Sequence, residues 1–142
     1  MLNHIQYLGR AVKQAQYRQH RALETALVAA GSTLAQWDAL RAIGRMPGAS
    51  SHDLALATFQ TDQAFGTLAN RLVAQGLIER RPGEGRRIEH FLNKQGERML
   101  VTANEIAMQV LTDKFAVLNA TEQKQLLKLL SKLVEAEDTG LE

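Results

Sequence analysis

Apolar positions recur at helical spacing along most of the chain. Leu2, Ile5, Val12, Leu23 and Leu27 stand at multiples close to the helical period and Gly31 follows. The pattern predicts a long, loosely amphipathic first helix closed by a glycine. Thr33-Leu34-Ala35-Gln36 then has the form of a capping box, in which Thr33 accepts from a free backbone N–H and Gln36 reaches back. Trp37, Leu40 and Ile43 give a short second helix, stopped by Gly44 and Met46-Pro47-Gly48.

A third helix opens at Ser50, with Asp53 three residues on, and its pattern breaks at Phe59-Gln60. Thr61 is the next N-cap and leads a fourth helix from Asp62 to Gln75. Phe65, Leu68, Ala69 and Leu72 make one apolar stripe at i, i+3, i+4 and i+7, while Gln63, Gly66, Thr67, Asn70 and Arg71 lie away from it. Gly76 ends this helix. The period then changes: residues 77–81 and 86–92 read as strands flanking a tip of Pro82-Gly83-Glu84-Gly85. Asn93 caps a fifth helix running to about Val117, and Asn119-Ala120-Thr121-Glu122 starts a sixth. Leu126, Leu127, Leu130, Leu133 and Val134 give that last helix a broad apolar face.

Composition agrees with a mainly helical protein. The 142 residues are 45% hydrophobic and 23% charged, enough for one domain with a core and not for two large ones. There are only two prolines. The absence of cysteine excludes disulfides, thiolate metal sites and thiol redox sensing. No apolar run approaches the roughly 20 residues that cross a bilayer, and the N-terminus lacks the layout of a secretion signal. A cytoplasmic protein without membrane contact is the expectation. The net charge of +2 hides an asymmetry. Arg71, Arg80, Arg81, Arg86, Arg87, Lys94 and Arg98 make the middle basic, and the chain from residue 99 onward is acidic.

Residues 50–92 are the informative stretch. Two short helices and a basic hairpin make a winged helix-turn-helix, whose second helix offers short polar side chains to base edges in the major groove. The hairpin arginines then lie near phosphates or in the minor groove. Gln63, Thr67 and Asn70 are the base-edge candidates, with Gly66 and Arg71 beside them. Ser50 and Thr61 are helix caps, and phosphate contacts only where the caps face the duplex.

Four segments resemble the MarR (multiple antibiotic resistance regulator) transcription factors. They are residues 33–41 (TLAQWDALR), Asp53-Leu54-Ala55 with the helix after it, residues 71–81 (RLVAQGLIERR), and Leu118-Asn119-Ala120-Thr121-Glu122 with its leucine-rich tail. Two departures stand out. Glu84-Gly85-Arg86 replaces the family's Asp-x-Arg wing tip, and Leu92-Asn93 replaces its Leu-Thr. By position, Arg86 matches the wing arginine that approaches the minor groove, and Arg87 becomes a phosphate neighbour.

The resemblance implies one domain over residues 1–142, with a winged lobe at 33–92 and a helical dimerisation region formed by residues 1–30 and 93–142. It implies a homodimer that binds double-stranded DNA at an inverted repeat and acts as a repressor. A small aromatic or phenolic effector is also implied, with Tyr7, Tyr17, His20, Trp37 and Arg41 as candidate lining.

No cofactor or catalytic residue is expected, and no metal. His4, His20, His52 and His90 are scattered with no i, i+4 pair. Ser50-Ser51-His52-Asp53 has the residue types of a hydrolase triad, but consecutive residues at a helix start point apart. Gly83-Glu84-Gly85 lies between strands and opens no helix, so it is not a phosphate loop. The rival reading is a winged-helix module that contacts protein and has lost DNA binding.

Overall fold

The computed structural model describes residues 3–140, with side chains through 136. The described residues form α1 (His4–Ala29), α2 (Leu34–Arg45), α3 (Ser51–Ala57), α4 (Asp62–Ala74), β1 (Ile78–Pro82), β2 (Ile88–Leu92), α5 (Lys94–Phe115) and α6 (Ala120–Gly140). Leu2, counted in the first apolar stripe, lies outside them, as do Met1, Leu141 and Glu142 of the expected helical region.

Side-chain caps start the helices. Thr33, Ser50, Thr61 and Asn93 each accept from the backbone N–H three residues on. Full reciprocal boxes form at Asn3/Gln6 and Asn119/Glu122. The box expected at Thr33 is only half made. The Gln36 side chain turns inward instead, donating to Gln75 Oε1 at 2.6 Å and accepting from the Ser32 hydroxyl at 3.2 Å. Gln36 is buried, and those side chains satisfy it where no water reaches.

At the end of α4, Gly76 has φ +73; its N–H bonds Val73 O, and the Leu77 N–H bonds Leu72 O. This is a Schellman cap, and it takes Leu77 out of the expected strand. Gly44 does not stop α2 as expected but sits inside it. There its missing side chain lets Leu100 and Leu92 approach, at 3.3 and 3.4 Å from where a Cβ would be.

Two connected cores hold the fold. Ala39, Leu40, Ile43, Leu54, Phe65, Ala69, Leu72, Leu77 and Ile78 fill the winged lobe. Leu23, Leu27, Leu34, Trp37, Ala103 and Ala107 join α1, α2 and α5, with Leu100 touching both clusters. The first half of α1 buries nothing, and Ile5, Tyr7, Leu8 and Val12 stand exposed. Leu127, Leu129, Leu133 and Val134 on α6 are likewise more than half exposed.

β1 and β2 pair antiparallel with Ile78 opposite Leu92 and Pro82 opposite Ile88. The turn is longer than expected and includes Arg86 and Arg87. The loop closes through Gly83 N–H to Arg87 O at 2.8 Å. His90 latches the hairpin to the lobe. Its backbone exchanges hydrogen bonds with Gly48 and Ala49, and its buried ring sits 2.9 Å from Ala49 O through Nδ1 and 3.5 Å from Ser51 Oγ through Nε2. The ring also meets Phe65 edge-on at 6.3 Å between centroids.

Burial holds the His90 imidazole below its ordinary value of 6.5; the Ala49 hydrogen bond opposes this and the Arg80 charge adds to it. The unfolded chain therefore takes up this proton at higher pH than the folded one. Stability is full above 6.5 and falls as pH drops through the depressed folded value. Denaturant titrations across this range should register the decline, and His90→Gln should flatten it. A second test concerns Phe59, which is 98% exposed in the left-handed region at φ +58. Phe59→Gly should raise stability by about 0.5–1 kcal/mol, read as a higher Tm.

Candidate nucleic-acid interface

The apolar stripe of α4 decides which way its polar face looks. Phe65, Leu68, Ala69 and Leu72 are buried, so Gln63, Thr67, Asn70 and Arg71 are turned outward and are exposed. Gly66 lies on the same side, and a Cβ there would meet nothing within 4 Å. Gln63, Thr67 and Asn70 follow one another at i, i+4 and i+7, about 10 Å of helix. The Thr67 hydroxyl donates back to Gln63 O at 3.1 Å, leaving its lone pairs outward. Thr61 and Ser50 are satisfied as caps by Ala64 N and Asp53 N. Asp62, in the first turn where the helix dipole favours an anion, also meets His52 of α3 at 3.0 Å.

The hairpin brings charge to this face in a way the sequence reading missed. Strand alternation turns Ile78 and Arg80 to one side of β1 and Glu79 and Arg81 to the other. On the first side, Arg80 Nη1 donates to Asn70 Oδ1 at 2.7 Å, joining wing to helix. On the second, Arg81 stacks 4.4 Å over the Phe91 ring and pairs with Glu79 at 3.0 Å. Arg80 is thus the arginine beside the base-edge candidates. The signal was the period-two step from the apolar Ile78.

The two tip arginines differ. Arg86 is exposed and makes no hydrogen bond or ion pair among the described residues, so Glu84 does not hold it. Arg87 is drawn back onto the lobe, donating to Gly48 O at 3.2 Å and lying 3.9 Å from both Asp53 and Glu89. It braces the tip, whereas Arg86 is free to leave it.

Of the five residues expected around an effector, Trp37 and Arg41 come together. Trp37 is buried, donates from Nε1 to Asn104 Oδ1 at 2.8 Å, and carries the Arg41 guanidinium 3.9 Å from its ring. Arg41 also pairs with Asp38 at 3.2 Å, and its buried Nε has no partner. Burial raises the Asp38 carboxyl above its ordinary value, while the charge and hydrogen bond of Arg41, and then the charge of His20, pull it back. Tyr17 is half-exposed with Arg21 against it. Tyr7, ten residues and about 15 Å further along α1, stands apart. Two grooves lie elsewhere, one of about 230 Å³ between the end of α1 and α5, and one of about 390 Å³ between α5 and α6.

Comparison with known proteins places this geometry. Residues 30–88 match the profile of the MarR family. The HTH-type transcriptional repressor Rv2887 of Mycobacterium tuberculosis is 28% identical over 113 residues, covering 78% of this chain and 81% of that protein. Its crystal structure with p-aminosalicylic acid superposes with a TM-score of 0.75 at 26% identity, covering 89% of this chain and 97% of that one. The same protein has been solved in complex with DNA, with a TM-score of 0.74 at 25% identity over 89% and 96% of the two chains. A probable transcriptional regulator from Pseudomonas aeruginosa gives 0.79 at 27% identity over 88% and 95%. A mutant MarR from E. coli, complexed with operator DNA, gives 0.84 at 23% identity over 92% and 96%, a likeness of fold. Motifs, winged lobe and relatives agree: residues 30–88 carry a MarR-family match, within a chain whose fold is that of MarR-family structures.

Proposed function

We propose that the protein is a transcriptional repressor that binds double-stranded DNA as a homodimer on an inverted-repeat operator. The observation that carries this reading is the outward polar row Gln63, Thr67 and Asn70, flanked by Arg80 and the unpaired Arg86. Such a row fits the major groove, where amide side chains pair with adenine and hydroxyls with several base edges. Arg71 and Arg86 supply the phosphate and minor-groove contacts, with Ser50 and Thr61 at the helix starts. Arg80 donates to Asn70 Oδ1, which leaves both Nδ2 hydrogens of the amide for a base edge. Arg87 orients the tip. The DNA complex of the Mycobacterium tuberculosis relative supports the assignment.

Dimerisation rests on the exposed apolar side chains of α1 and α6. Ile5, Tyr7, Leu8, Val12, Leu127, Leu133 and Val134 together exceed what a monomer leaves to water without reason. Residues 1–30 and 93–142 are the proposed dimerisation region, and 33–92 the DNA-binding lobe. A small aromatic acid is the proposed effector. The Trp37 ring, the guanidinium of Arg41 and nearby His20 suit a ring with an anionic group, and the relative solved with p-aminosalicylic acid supports that class. Release of DNA then requires the acid to favour a dimer whose recognition helices are wrongly spaced.

Four measurements test this. Sedimentation at micromolar concentration should give twice the 15.7 kDa chain mass, and a persistent monomer overturns the homodimer. Selection from random duplex DNA should return an inverted repeat bound with a steep inverse dependence on salt. Arg86→Ala should weaken binding several-fold and lower the salt slope by about two, one for each protomer, whereas Asn70→Ala should relax preference at one base position in each half-site. Retention of no duplex even at low salt would favour the protein-interaction module. Trp37 is the only tryptophan, so its fluorescence should change on titration with salicylate-type acids as the DNA complex weakens.

A further inference from the structure

The end of α4 meets the start of α5 at Asn93. Asn93 Nδ2 donates to Gly76 O at 2.6 Å, the carbonyl beyond the last turn of α4. Its backbone N–H donates to Leu77 O at 3.2 Å. Its Oδ1 accepts from Gly96 N at 2.9 Å, which is the N-cap of α5. One residue therefore satisfies groups on both helices, using the donor and the acceptor of the same amide. Gly96 leaves the joint no slack: it is buried, and a Cβ there would collide with the Leu77 carbonyl oxygen. Further along, α5 is fixed to the lobe by Leu100 against Gly44 and by Asn104 to Trp37. From there it runs along α1, where Ala103 and Ala107 pack.

We propose that Asn93 is a positioning residue that makes α4 turn with α5, so that the helical region sets the orientation of the recognition helix. The proposal rests on the DNA-binding reading and adds its means of spacing control. In a dimer, a small rotation of α5 carries Gly76 and Leu77 with it and changes the separation of the two α4 helices. Without the amide donor, α5 keeps its cap and the backbone bond to Leu77 O remains, but the Gly76 carbonyl at the end of α4 loses its tie to α5 and the joint loosens there. The cap and the coupling use different atoms, which makes them separable. Asn93→Asp retains an acceptor for Gly96 N and adds a charge the helix dipole favours, yet has nothing to donate to Gly76 O. Asn93→Thr also caps, with a hydroxyl too short to span both groups.

The wild-type chain and both variants are each taken through selection from duplexes carrying randomised half-sites and a spacer of variable length. The wild type should return one spacer length. Both variants should return a spread of lengths and bind the wild-type duplex about tenfold more weakly, the scale of one lost hydrogen bond. Dimer mass and thermal unfolding should stay close to wild type. Should the aspartate variant fold poorly, the threonine variant carries the test. Variants that keep the single spacer, or that lose affinity equally at every spacer, overturn the coupling while leaving DNA binding intact. A wild type that enriches no duplex overturns the DNA-binding reading itself and the coupling with it.

Discussion

Burial of one stripe on α4 is the constraint on which the rest depends. Phe65, Ala69 and Leu72 are fully buried among residues of α2, α3 and β1, and each such side chain contributes on the order of 1.5–3 kcal/mol for leaving water, less for alanine. The helix cannot rotate about its axis without exposing that stripe. Gln63, Thr67 and Asn70 are therefore presented to solvent by the packing of residues that touch no ligand. One side of the helix is left open to a ligand, and the other holds it rigid.

Polar groups between elements then set angles that apolar packing leaves loose. Gln36 and Gln75 join α2 to the end of α4; His52 and Asp62 join α3 to its beginning; Arg80 and Asn70 join the wing to its middle. The Gln36–Gln75 bond costs most to break, because the buried Gln36 amide left without its partner would stay out of reach of water. The exposed His52–Asp62 and Arg80–Asn70 contacts contribute little to stability. Their value is orientation of the groups that would meet a ligand.

Two parts of the chain are unfinished as a monomer. The first half of α1 and most of α6 carry apolar side chains with little in this chain to cover them, whereas the lobe is closed around its own core. Only the second half of α1, through Leu23 and Leu27, packs on this chain. A helix that packs on its own chain along only half its length shows only half a stripe to an intramolecular reading. The Trp37–Arg41–Asp38 cluster lies where these regions meet the lobe, with α5 on one side through Asn104.

Local sequence determined the caps, the breaks and the buried face of the recognition helix, because these depend on residues within one or two turns. Thr61, Gly76 and the stripe from Phe65 to Leu72 were legible for that reason, as was the change to period two after Gly76. Contacts between elements were not. Nothing within a few residues of Gln36 says that it turns to Gln75, nor that Arg80 finds Asn70. The divergence of Arg86 from Arg87 was equally hidden, for it depends on Asp53 and the Gly48 carbonyl more than thirty residues away in the chain. The role of Gly96 became visible only when the α4–β1 joint was folded against it. Short-range hydrogen bonds and hydrophobic period are written in sequence order, whereas side-chain partners chosen across the lobe depend on the packing that brings them together.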